Sequence, residues 1–168
     1  ASNNIFAKYN SPKEIIKPKK LRPGDTIGLV SPGSYIEEDY LEESAENLKD
    51  LGFKVHNTER IFKTYGYLAG TDMNRAEDLN EMFANDDVDG IVSVRGGYGC
   101  SRILPLLDYD LIKNNPKVLV GYSDITALHY GIFSQTGLVC FHGPVGISTF
   151  NDYSIDYFKK VLISDNSP

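Results

Sequence analysis

Short apolar runs alternate along this chain with longer amphipathic stretches, and that alternation restricts the fold more than any other feature of the sequence. The run Thr26–Val30 lacks polar alternation, the pattern of a strand buried on both faces. It stops at Ser31-Pro32-Gly33-Ser34. The next segment puts Ile36, Tyr40, Leu41, Ala45, Leu48 and Leu51 on one helical face with acids opposite, and Gly52 stands where a C-terminal cap belongs. The cycle then repeats. Residues 53–55, 90–94, 118–120 and 139–141 read as strands, and 72–83, 101–107 and 125–135 as helices, with Pro105 tolerable only in the first turn or two of its helix. This spacing predicts an α/β fold: a doubly wound, mostly parallel sheet with helices on both faces.

The chain has 168 residues, 41% of them hydrophobic and 24% charged, enough for one sizeable core. Residues 1–20, polar and broken by Pro12 and Pro18, read as an N-terminal arm; 21–150 read as the α/β domain; 151–168 hold a turn or two of amphipathic helix around 157–162 and end like the start of a linker. A net charge of −6 argues against nucleic acid or an anionic membrane as partner, since both reward clustered Lys and Arg. The one dense basic patch, Lys17-Pro18-Lys19-Lys20, reads as solvated tail. No run approaches the roughly 18 apolar residues of a membrane span. Cys100 and Cys140 have no metal-ligand spacing and read as free thiols, which suits a reducing, cytoplasmic setting. The chain opens on Ala1, so an exported or periplasmic origin stays open beside the cytoplasmic one.

In an open parallel sheet the ligand crevice lies beyond the carboxyl ends of the strands. Four unusual loops share that edge: Ser31-Pro32-Gly33-Ser34, Arg95-Gly96-Gly97-Tyr98-Gly99, Gly121-Tyr122-Ser123-Asp124 and His142-Gly143-Pro144. A serine on a sharp strand-to-helix turn has its hydroxyl exposed beside free N–H groups, which suits a nucleophile. The pattern here is G-x-S-x-I, so the G-x-S-x-G elbow is half matched, and Ser123 or Asp124 could equally serve as an N-cap. The paired glycines after Arg95 can turn backbone N–H groups into a nest, either half of an oxyanion hole with the Asp124 N–H or a phosphate cradle. The dinucleotide fingerprint fails, because Arg102 stands where its third glycine belongs. A serine nucleophile needs a base. Among the three histidines, His129 falls on another helical face, His56 ends the second strand, and His142 shares the right edge but can as well anchor its own loop.

Five stretches, in order, resemble the N-terminal domain of the LD-carboxypeptidase family of serine peptidases, which includes muramoyltetrapeptide carboxypeptidases and microcin C immunity proteins. They are Leu21-Arg22-Pro23-Gly24-Asp25 with Ser31-Pro32-Gly33-Ser34, Ala69-Gly70-Thr71-Asp72 with Arg75-Ala76-Glu77-Asp78-Leu79, Arg95-Gly96-Gly97-Tyr98-Gly99, Gly121-Tyr122-Ser123-Asp124-Ile125-Thr126-Ala127-Leu128, and His142-Gly143-Pro144. The resemblance implies a flavodoxin-like domain akin to the N-terminal part of class I glutamine amidotransferases. It implies Ser123 as nucleophile, and the N–H groups of Asp124 and Gly97, with Gly96 as alternate, as oxyanion hole. Ser31, Pro32, Gly33, Ser34, Arg95, Gly96 and Tyr98 would line the substrate cleft. The implied substrate is a muropeptide losing a terminal D-amino acid, or a peptide–nucleotide conjugate in the immunity proteins, with no metal or organic cofactor. It further implies a Glu and a His from a C-terminal domain that this chain does not contain, and a homodimer for the full-length protein. Against it stands a non-catalytic module that uses the glycine nest for a phosphate or sugar, and a self-contained esterase using Ser123 with His142.

Overall fold

A computed structural model describes residues 14–163. Five strands, β1 (Thr26–Val30), β2 (Lys54–His56), β3 (Gly90–Ser93), β4 (Val118–Gly121) and β5 (Phe141–His142), form one sheet in the order β2-β1-β3-β4-β5. Every neighbouring pair is parallel, with Gly28 opposite Ile91 and Ile91 opposite Leu119. Successive strand residues face opposite ways, and the two cores follow that alternation. Val30, Ile91 and Leu119 pack with Leu79, Met82 and Phe83 of α2 (Asp72–Ala84), Ile103 of α3 (Cys100–Ile103), Ile112 of α4 (Tyr109–Asn114) and Leu128 and Ile132 of α5 (Thr126–Thr136). Ile27, Leu29, Val92 and Val120 pack on the other side with Leu48 of α1 (Glu38–Asp50) and Phe158 and Leu162 of α6 (Asp152–Leu162). Helices cover both faces, as the sequence predicts.

The elements differ from the sequence reading where short or non-local interactions decide. The single helix expected over 101–107 divides into α3 and a 3-10 turn, Leu104–Leu106, with Pro105 in the first turn of the latter. α4 and the 3-10 turn Glu59–Phe62 were not expected. The last strand is Phe141–His142 rather than 139–141, because the Val139 N–H is engaged by the Ile16 carbonyl, at 2.9 Å, while the Ile16 N–H reaches Gly137. That pairing also ties part of the segment read as an arm to the sheet's flank. α6 is a full helix where a turn or two was expected; Asn151 caps it by accepting from the Ser154 N–H, and Phe158 stacks edge-on against Phe53 and Phe150.

The strand order decides where a site can form. From β1 the chain runs outward to β2, then crosses back to β3, β4 and β5, so the loops leaving β1 and β3 part at their C-terminal ends. That is the topological switch point at which open α/β sheets hold their ligands.

Candidate active site

Ser123 sits at the start of a 3-10 turn, Ser123–Ile125, between β4 and α5. Its φ of 63° is the only positive value at a non-glycine residue among the described residues. A β-carbon disfavours that region by on the order of 1 kcal/mol or more, and such residues persist where their surroundings over-determine them. Those surroundings are visible: a methyl group on Gly121 would lie 2.7 Å from Ile125 Cγ2, and one on Gly96 would lie 3.2 Å from Ser123 Cβ. The turn can therefore be this sharp only with a bare backbone before it and beside it. Ser123 is exposed, and its hydroxyl has no hydrogen-bond partner among the described residues.

Neither Ser123 nor Asp124 caps α5. The capping positions of the turn and the helix are Tyr122 and Ile125, and neither receives a side-chain bond. The cap reading is thereby corrected. The carboxylate that might have capped is engaged elsewhere, since Asp124 Oδ2 accepts from the Cys100 N–H at 2.9 Å and so satisfies the first turn of α3. Asp124 links the turn after β4 to the loop after β3.

Three of the expected loops come together. A methyl on Gly33 would meet the Gly96 carbonyl at 2.9 Å and Asp124 Oδ2 at 3.2 Å; the Ser34 N–H donates to Gly96 O at 3.4 Å. Gly97 has φ 119°, a conformation that only glycine adopts readily, and a methyl there would collide with Ser34. The Gly97 N–H has no partner among the described residues, and the Asp124 N–H, in the first turn of a 3-10 segment, has no intrahelical acceptor. Of the four residues 31–34, Ser31, Pro32 and Gly33 are buried, with Ser31 Oγ donating to Ser34 O at 2.8 Å; Ser34 alone keeps appreciable surface. Arg95 lies with its guanidinium 5.6 Å from the centre of the Tyr40 ring, and Tyr98 is exposed against Tyr67.

Among the described residues no histidine is hydrogen-bonded to Ser123. His142, exposed at the end of β5, lies against the Tyr122 ring at 6.1 Å; His56 is on β2, beyond both β1 and β3 from β4. His129 is buried in α5, where desolvation, aided by the neighbouring His142, holds its pKa down at about 4. It is neutral at pH 7 and packed in the core. Cys100 is buried, and Cys140 is half-buried with its thiol pushed up to about 12 by desolvation, so neither is a ready nucleophile. Among the described residues no cluster of His, Cys, Asp and Glu is placed to hold a metal, and no helix is long and apolar enough to cross a membrane. The sequence reading gave no role to the network behind the loops: buried Arg75, Asp72 and Arg102. The signal was present, since Arg75 occupies the same face of α2 as Leu79, Met82 and Phe83.

Residues 27–143 match the LD-carboxypeptidase N-terminal domain. A probable murein peptide carboxypeptidase of Bacillus subtilis is 43% identical over 129 residues, 77% of this chain and 40% of its own length. The microcin C7 self-immunity protein MccF of Escherichia coli is 40% identical over 156 residues, 88% of this chain and 45% of its own length. A solved structure of MccF in complex with glutamyl sulfamoyl guanosine is similar with a TM-score of 0.83 at 36% identity, covering 89% of this chain and 48% of that one. The chain thus spans less than half the length of these relatives.

Proposed function

Because the chain belongs to the LD-carboxypeptidase family, we propose that it is the nucleophile-bearing domain of a peptidase that removes the terminal D-alanine from murein tetrapeptides. The observation that carries this reading is Ser123, strained, exposed and set beside N–H groups that have no partner among the described residues. Its Oγ would attack the carbonyl of the L-to-D amide while a base takes the hydroxyl proton. The Gly97 and Asp124 N–H groups would receive the negative charge on the carbonyl oxygen. The C–N bond then breaks, the departing amine takes the proton, and water hydrolyses the acyl-enzyme. Ser34, Arg95, Gly96 and Tyr98 would border the substrate.

The base and its orienting acid would come from a C-terminal domain that follows α6. Two facts support that layout: no histidine of the described residues bonds to Ser123, and the relatives are more than twice as long as the matched region. We place the full-length protein as a homodimer in the cytoplasm, to which two free thiols are suited. A second reading, cleavage of a peptide–nucleotide conjugate, is favoured by the similarity to MccF bound to glutamyl sulfamoyl guanosine.

The test incubates the full-length protein with murein tetrapeptide and, separately, with glutamyl sulfamoyl guanosine. D-Alanine release is the expected result, and Ser123→Ala should lower kcat by about a thousandfold or more. Cleavage of the guanosine compound alone would replace the first reading by the second. Near-normal turnover by Ser123→Ala would remove Ser123 from the chemistry.

A further inference from the structure

Arg75 is the largest side chain fully enclosed among the described residues. Arginine is almost never enclosed unless its charge and donors are matched. Position 75 lies on the apolar face of α2, where a leucine or methionine would fill the volume. Instead Nη2 donates to the Asp72 carboxylate, and Nη1 donates to Pro32 O at 2.6 Å and Gly99 O at 3.0 Å. Those two carbonyls belong to the loops leaving β1 and β3, the pair that parts at the switch point. Asp72 is held in turn by Arg102, whose guanidinium forks onto it at 2.9 Å from the exposed side.

The bond to Gly99 matters most. The Gly99–Cys100 peptide is gripped at both ends: its carbonyl accepts from Arg75, and its N–H donates to Asp124 Oδ2 at 2.9 Å. Gly99 has φ 121°, and a methyl there would lie 3.0 Å from Arg75 Nη1. On one side of this peptide, two residues back, is Gly97; on the other is the residue that follows Ser123. One buried guanidinium thus reaches both halves of the oxyanion pair through a single peptide plane.

We propose that Arg75 is a positioning residue for the Ser123 chemistry, fixing the Gly99–Cys100 peptide and with it the spacing between the Gly97 and Asp124 N–H groups. The proposal rests on the reading of Ser123 as nucleophile. Lysine cannot substitute, because a single ammonium lacks the planar fork that serves two carbonyls and a carboxylate together.

The experiment compares Arg75→Lys and Ser123→Ala in the full-length protein, on the substrate it turns over in the assay above, with thermal melts of each. Arg75→Lys should melt cooperatively and lower kcat by about 10- to 100-fold with KM held within about threefold, the signature of an interaction made in the transition state. A folded Arg75→Lys with wild-type kcat, beside an inert Ser123→Ala, overturns the positioning role, and so does a change confined to KM. An active Ser123→Ala is a different failure, that of the nucleophile reading. If Arg75→Lys does not melt cooperatively, Asp124→Ala carries the test, since it frees the same peptide from its other end. The same kcat-selective loss is expected, and wild-type kcat in folded Asp124→Ala overturns the proposal.

Discussion

Ser123 owes its unusual backbone to what stands next to it. Gly121 and Gly96 leave the room, Asp124 is anchored to Cys100, and Ser123 is left exposed with no hydrogen-bond partner for its hydroxyl among the described residues. The sequence showed the glycines and the exposed turn, because G-x-S after a buried strand has few other conformations. It could not decide between cap and free hydroxyl, since that depends on Cys100, a partner remote along the chain whose amide claims the Asp124 carboxylate. Arg75 was hidden for a similar reason: its face could be read from helical period, but not the carbonyls that meet it. His129 supports a prediction at this scale. Its pKa is depressed from 6.5 to about 4, so the folded state binds its proton less readily than the unfolded chain. Its contribution is intact above pH 6.5 and is lost as pH falls from 6.5 towards 4. Between pH 7 and pH 5 that loss is about 2 kcal/mol. Urea unfolding at the two pH values should show a smaller fall for His129→Leu than for the wild type by roughly that amount; equal falls would assign the pH dependence to other groups.

At the level of elements, length governed what could be read. α1 and α2 show an apolar face at helical spacing, and the ends of these two helices and of α5 fell within a residue or two of expectation. α4 has six residues and is organised by Asp108, which accepts from the Leu111 N–H at 2.9 Å. So short a helix shows no periodicity. β5 was misplaced because its apolar run is shared between two partners, β4 and Ile16. α2 begins with a reciprocal capping box, Thr71 Oγ1 accepting from the Asn74 N–H at 3.2 Å and Asn74 Oδ1 from the Thr71 N–H at 3.3 Å. As α2 also carries Asp72 and Arg75, the box helps hold the network behind the loops. Thr71→Ala should lower the unfolding free energy by about 1 kcal/mol in urea titrations. Phe158→Ala, which strips α6 of the ring packed against Phe53 and Phe150, should lower it by about 3 kcal/mol. If Phe158→Ala costs no more than Thr71→Ala, α6 is not part of the cooperative core.

For the whole molecule, unalternating apolar runs implied a parallel sheet with both faces covered, but not the order of its strands. That order follows from which helix faces fit which side of the sheet, a non-local matter that no single segment encodes. On the proposed layout, residues 1–168 alone should melt as a cooperative unit and yet release no D-alanine from murein tetrapeptide. Steady release by the isolated chain would bring the missing base back within it. The sheet's two margins carry a last consequence. β2 is three residues long and begins with exposed Lys54; β5 is two residues long, leads into Gly143-Pro144, and the segment before it is already paired with Ile16. Both margins are short, and a charge, a proline and short strands are the devices that keep natural sheets from joining edge to edge. Strand addition at either margin of the described residues is thereby disfavoured, and with it amyloid-like growth by extension of this sheet.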